Sequence, residues 1–286
     1  LDVSSKYRLR IEDAWCTAET SANDGRLADF HGTPRQEQLD RIAVHTLREC
    51  MQDVFEDGPK RDRRLWLGDL RMQALANYQT FHCNDLVKRC LYLFAGTTLE
   101  DGRVGACLFT EPEIQVDDTV MFDYSLFFIP TLLNYYEETR DMETLRELAP
   151  TAFRQVELVQ SYFDERQLVK DPDVLGWCFV DWNLHLNKQA SAQGIYLYCI
   201  LAAKKIAGIL GQTQMEAHLG RDYLAKRAAA ELLWDAKRGV YVSGTEKQVS
   251  WASQVWMVLG GAAHGNGPLL ERLEGSSAEQ MVTPYM

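Results

Sequence analysis

Asp57-Gly58-Pro59-Lys60-Arg61-Asp62-Arg63-Arg64-Leu65-Trp66-Leu67-Gly68-Asp69 interrupts a chain that otherwise reads as one helical stretch after another. These thirteen residues hold three carboxylates, four cationic side chains, one indole and two glycines. A connection that only has to turn needs little more than Gly, Pro, Asn or Ser. Acids packed among arginines beside a Trp make a polar pocket with an apolar wall instead. Such a pocket suits a sugar: carboxylates serve its hydroxyls and protons, and an aromatic face meets the C–H groups of the ring.

On either side of this loop the apolar residues recur at helical spacing. Leu39, Ile42, Ala43, Leu47, Cys50, Met51 and Val54 fall on one stripe of a helix of four to five turns. Further helical stretches are predicted near 69–95, 123–139, 142–164, 189–211, 214–234, 248–261 and 277–286. Thr213 with Glu216, and Ser276 with Glu279, fit capping boxes. Asp141 fits an N-cap before Met142, and Pro130 predicts a kink or a break in its helix. Long loops at 56–68, 96–122, 165–188 and 235–247 separate these stretches, with a short strand pair around Val240-Tyr241. Eight helices joined by alternately short and long connections predict stacked helical hairpins, with the long loops gathered at one functional end. The first 36 residues are turn-rich and show no period, and are read as a lead-in.

Charge narrows the choice of partner. Thirty Lys and Arg against 41 Asp and Glu give a formal charge of −11, which argues against nucleic acid and anionic membrane as partners. A neutral carbohydrate meets no such objection. The seven cysteines are odd in number, lack tight pairs, and in several cases fall in apolar helical patterns, so neither a disulfide framework nor a zinc site is expected. A reduced, cytoplasmic compartment follows from that usage. No apolar run approaches the ~20 residues needed to span a bilayer. No metal or other cofactor is implied; Glu111, Glu113, Asp117 and Asp118 match no EF-type loop and read as a solvated acidic segment.

The Asp57–Asp69 segment resembles the acid-and-arginine loop of the bacterial α-L-rhamnosidases, glycoside hydrolase family 78, whose pattern runs D-x-P-x-R-D-E-R-L-G-W-x-G-D. Phe122-Asp123-Tyr124, the helix end Tyr135-Tyr136-Glu137-Glu138-Thr139-Arg140-Asp141, and Phe179-Val180-Asp181-Trp182 are similar to later motifs of that family. Trp251 to Gly261 looks like a late inner helix. The resemblance implies an all-α fold, an (α/α)6 barrel of six helical hairpins, over residues 37–286 after the 1–36 lead-in. It implies an inverting hydrolase of terminal α-L-rhamnosides.

Two departures shape the expected site. The loop is one residue shorter than the family pattern. Counted forward from Asp57, the general acid falls on Arg63, which holds its proton at any useful pH. Counted back from Trp66 and Gly68-Asp69, it falls on Asp62, seven residues before Asp69. The second register keeps Trp66 aligned and makes Asp62 the acid, one methylene shorter than Glu. The chain also supplies eight helices where six hairpins need twelve. The family's base lies in a Trp-Glu context that occurs nowhere in this sequence, so the base is expected beyond Met286.

By the same resemblance Asp57 and Asp69 join Asp62 in the catalytic set, and Arg61, Trp66, Asp181 and Trp182 bind substrate. The residues alone allow plainer roles. Asp57, Arg61, Asp62 and Arg64 could be an ion-pair network closing the loop, and Asp69 an N-cap. Trp66 could be core, and Asp181-Trp182, with nearby Trp177 and Phe179, a loop tucked onto the core. Two other functions fit the barrel: a glycosidase for a different sugar, and a catalytically inactive carbohydrate-binding or scaffold domain.

Overall fold

A computed structural model describes residues 9–170, 178–262, 264 and 269. Eight α-helices occur among them: α1 (Pro34–Cys50), α2 (Leu67–Asn77), α3 (Asn84–Gly96), α4 (Phe122–Thr139), α5 (Met142–Leu158), α6 (Gln189–Ile209), α7 (Thr213–Ala230) and α8 (Trp251–Leu259). Their sequences divide them into two layers. α4 and α6 are buried almost all round, as befits helices of an inner layer. α5 buries one stripe only, Leu145, Leu148, Ala149, Ala152, Phe153 and Val156, and lies outside against α4 and α6. Within the inner layer α2 packs on α4, α4 on α6 and α6 on α8; α7 covers α6 from outside. Alternation of outer and inner helices along the chain is the hairpin arrangement that the connection lengths predict. One large core runs from the end of α1 through α6, and a smaller one joins α7, α8 and the hairpin before α8.

Short strands sit on the loop end. β1 (Leu65–Trp66) pairs with β2 (Cys107–Phe109), which pairs with β3 (Gln115–Val116), all antiparallel. β4 (Trp234–Asp235) pairs with β5 (Val240–Tyr241), the pair expected around Val240. None of the described helices is long and apolar enough to cross a membrane.

Several local expectations need correction. The stretch 69–95 is two helices, because Asn77 stops the first. Its side chain accepts the Cys83 amide at 2.9 Å and its carbonyl accepts that of His82, which adopts a left-handed conformation (φ 51°). Thr213 and Glu216 form no capping box: the Gln212 carbonyl already accepts the Glu216 amide at 2.9 Å, so the helix starts one residue earlier than the box requires. α1 starts at Pro34 behind a Thr33–Gln36 capping box and stops at Cys50, short of Val54. Its stripe is only partly covered, with Leu39 and Ile42 more than half exposed. α4 runs unbroken through Pro130, held by burial on all sides. Asp141 does cap α5, accepting the Thr144 amide at 3.0 Å, and Lys88 beside it holds its carboxyl far below the usual range. The stretch 277–286 and its Ser276–Glu279 box lie outside the described residues, as does Trp177.

Candidate active site

The loop before α2 folds back on itself through a tight turn. The Asp57 amide donates to the Arg64 carbonyl at 2.8 Å, and between them the Arg61 and Arg63 amides both reach the Gly58 carbonyl. Gly58 is left-handed (φ 61°), and a side chain there would press on the Arg61 guanidinium and the Asp62 carboxylate at about 3.0 Å. Glycine is therefore needed both for the turn and for the charges above it. Arg63 is also left-handed, and its Nε donates to the Pro59 carbonyl at 3.2 Å.

Three carboxylates of the loop face one cleft of about 540 Å³, within the range of small-ligand sites. Asp57, Asp62 and Asp69 line it together with Arg61 and Trp66; Met121, Tyr124, Phe179 and Trp182 close the opposite side. Arg63 is not among the lining residues. Asp69 stands in the first turn of α2, behind Trp66 as the N-cap residue, where the helix terminus favours negative charge. It is thus inside the helix and not its cap. Arg61 bridges two of the acids, with Nη2 3.0 Å from Asp57 Oδ2 and Nε 3.1 Å from Asp62 Oδ1. Arg64 approaches the other Asp62 oxygen at 3.3 Å.

The apolar wall is a chain of rings. Trp66 meets Tyr124 edge-on at 6.1 Å, Tyr124 meets Phe179 at 5.8 Å, and Phe179 meets Trp182 at 5.0 Å, each near perpendicular. Tyr124 can lie this close to α2 only because position 68 is glycine: a β-carbon there would sit 2.5 Å from the ring. At the outer end Trp182 is 76% exposed, while Trp66 is half-buried.

Asp181 departs from this group. It is buried, accepts the Trp182 amide at 2.8 Å, and is absent from the cleft lining. Lys188 Nζ donates to the Cys178 carbonyl at 2.7 Å, and the middle of the 178–182 segment is anchored by Asp123, on the first turn of α4. Its carboxylate accepts the amides of Val180 at 2.7 Å and Phe179 at 3.1 Å. Burial pushes this carboxyl up, and those two amides act against the rise. Asp123 and Tyr124 stood in a quoted motif without a role; an acid at the start of an otherwise apolar helix was the available signal. Phe179 shared the motif with Asp181 and Trp182, and Met121 carried no signal.

The acidic segment at 111–118 is not uniformly solvated. Asp117 is largely covered, accepts the Thr119 amide at 2.8 Å and lies 3.5 Å from Arg64 Nη1. The Thr119 bonds, with Arg64 behind them, lower its carboxyl below the ordinary value against the effect of burial. His185 lies outside the cleft lining, and among the described residues no group of three His, Cys, Asp or Glu is placed to hold a metal ion. A second hollow of about 610 Å³ lies between the lead-in and α3, around Asn23, Asp53 and Arg89. Asp53 and Asp85 line it among Arg26 and Arg89, and among the described residues it has no Trp, Tyr or Phe wall.

Comparison with known proteins adds the following. Residues 32–263 match the bacterial alpha-L-rhamnosidase six-hairpin glycosidase domain. A rhamnosidase from Klebsiella oxytoca, solved with rhamnose bound, is 47% identical with a TM-score of 0.85, over 88% of this chain and 49% of that one. A family GH78 rhamnosidase of Bacillus sp. superposes with a TM-score of 0.70 at 22% identity, over 82% of this chain and 25% of that one. The mannosylglycerate hydrolase of Thermus thermophilus, in complex with glucose, shares the fold at 14% identity and a TM-score of 0.59, over 81% of this chain and 74% of that one. The chain thus spans about half the length of the Klebsiella protein and a quarter of the Bacillus one. No curated protein matches.

Proposed function

The chain belongs to the bacterial α-L-rhamnosidase six-hairpin glycosidase family, and from that premise we propose that it carries the acid half of a site hydrolysing terminal α-L-rhamnosides with inversion. The observation that carries the proposal is the convergence of Asp57, Asp62, Asp69, Arg61 and Trp66 on one cleft with an aromatic opposite wall.

In this reading Asp62 protonates the glycosidic oxygen while the bond from that oxygen to the anomeric carbon breaks, its electron pair staying with the leaving group. Water attacks the opposite face of the ring and gives up its proton to a second carboxylate, roughly 6.5–9.5 Å from the first. The resemblance assigns that role to a Glu following a Trp, and none of the other cleft carboxylates is proposed for it. Asp57 and Asp69 accept hydrogen bonds from hydroxyls of the sugar, Arg61 donates to its oxygens, and Trp66 and Trp182 face its C–H groups. Asp181 acts through the Trp182 amide that it holds. Residues 37–286 would be a barrel segment of the catalytic domain, with 1–36 leading into it.

The test uses the full-length natural protein and p-nitrophenyl α-L-rhamnoside. Asp62→Asn should lower kcat by about 10²–10⁴-fold, the usual worth of a positioned acid, and leave rhamnose binding largely intact. One observation favours a binding-only domain: both Asp62 oxygens already face guanidinium groups. Rhamnose bound without turnover, equally by the native protein and by Asp62→Asn, would establish that reading. Cleavage of another aryl glycoside in place of the rhamnoside would assign the barrel to a different sugar.

A further inference from the structure

The two arginines that face Asp62 are held very differently. Arg61 has a side chain 70% exposed, whose guanidinium meets, among the described residues, Asp57 and Asp62. Arg64 is fixed on four sides. Its guanidinium lies 4.7 Å from the Phe109 ring and 5.7 Å from the Trp66 ring, its Nη1 faces Asp117, and its carbonyl accepts the Asp57 amide. Asp117 is itself fixed by Thr119. Arg64 Nε lies 3.3 Å from Asp62 Oδ2, but off the line of an aligned hydrogen bond, so the contact is an ion pair with room to adjust.

We infer that Arg64, braced by Asp117 from the β2–β3 hairpin, is a positioning residue that holds Asp62 by Oδ2 and leaves Oδ1 as the oxygen that carries and donates the proton. The inference rests on the assignment of Asp62 as the acid. Arg61 has to release Oδ1 before that oxygen takes a proton from solvent, and its exposure permits the movement. Arg64 stays in place throughout, because moving it would break the contacts to both rings and to Asp117. A lysine in its place could reach one carboxylate but could not bridge two with a planar fork. Neither Arg64 nor Asp117 lines the cleft, so whatever they contribute to the chemistry passes through Asp62.

Acid assistance matters most for leaving groups that depart poorly. The experiment compares phenyl α-L-rhamnoside with the 2,4-dinitrophenyl analogue in the full-length protein. Arg64→Gln should lose about 10–100-fold in kcat on the phenyl substrate, as expected for a displaced acid, and only a few-fold on the activated one. Asp117→Asn should show the same bias to a smaller extent, and Arg64→Lys should fall between Arg64→Gln and the native protein. Added guanidinium should restore part of the phenyl activity of Arg64→Ala, which keeps the test open if Arg64→Gln folds poorly. Equal losses on both substrates, or no loss on either, would overturn the inference while Asp62→Asn still identified the acid. A native protein that cleaves neither rhamnoside would overturn the acid assignment along with it.

Discussion

Two charge clusters in this molecule share their parts and differ in one respect. Around Lys226 on α7, Nζ donates to Gln160 at 2.9 Å, to Gln167 at 3.2 Å and to Asp222, so all three of its hydrogens are used. Asp222 also accepts from the Tyr196 hydroxyl, and the ammonium lies 4.4 Å from the Phe163 ring. Lys226 is 1% exposed. The Asp57–Asp69 loop has the same ingredients: carboxylates, cations and aromatic faces. There Asp62 is 31% and Arg61 70% exposed, and the carboxylates open on a cleft. Charge density by itself therefore does not mark a site. What separates them is closure: one cluster has spent its donors internally on tying 160–169 to α6 and α7, and the other turns polar groups toward space that a ligand can fill.

That contrast can be broken by substitution. Lys226→Ala leaves Asp222 and two glutamines without their cation and should cost about 3–5 kcal/mol, seen as a lower denaturant midpoint at constant slope. Asp123→Ala is the intermediate case, a buried acid that serves the open site. Orphaning the Phe179 and Val180 amides should cost about 1–3 kcal/mol and also weaken rhamnose binding, measured by titration calorimetry. Arg61→Ala should leave the unfolding midpoint unchanged and reduce rhamnose affinity, since exposed ion pairs add little stability. If Arg61→Ala unfolds the protein as readily as Lys226→Ala, the loop is structural and the contrast collapses.

The open cluster was readable in the sequence and the closed one was not, for physical reasons. The 57–69 loop breaks the helical period with charges that a turn does not need. Lys226 and Asp222, four residues apart on a helix, look like an ordinary surface pair; only the return of Gln160 and Gln167 over them makes the pair internal. The helices were legible from periodicity, and α5 and α6 lie close to their expected places. The break after Asn77 was not, because a side chain capping its own turn leaves the apolar spacing intact. Two-residue strands such as β1 and β3 have no period to detect. Of the ring wall, Trp66 and Trp182 were legible, but Tyr124 was not, because it sits in an apolar helix where any aromatic reads as core; Asp181 reads as a cleft residue because burial cannot be told from exposure in a loop.

The contact between Gly68 and Tyr124 reaches beyond this molecule. A methyl at 68 would sit 2.5 Å from the phenol ring and force it to move, so the two positions are not expected to vary independently. Among proteins of this architecture they should behave as one inherited character: wherever 68 gains a β-carbon, 124 should have moved or lost its phenol. Aligned relatives can be sorted by that pair, and its state should report the width of the cleft floor where no structure has been determined.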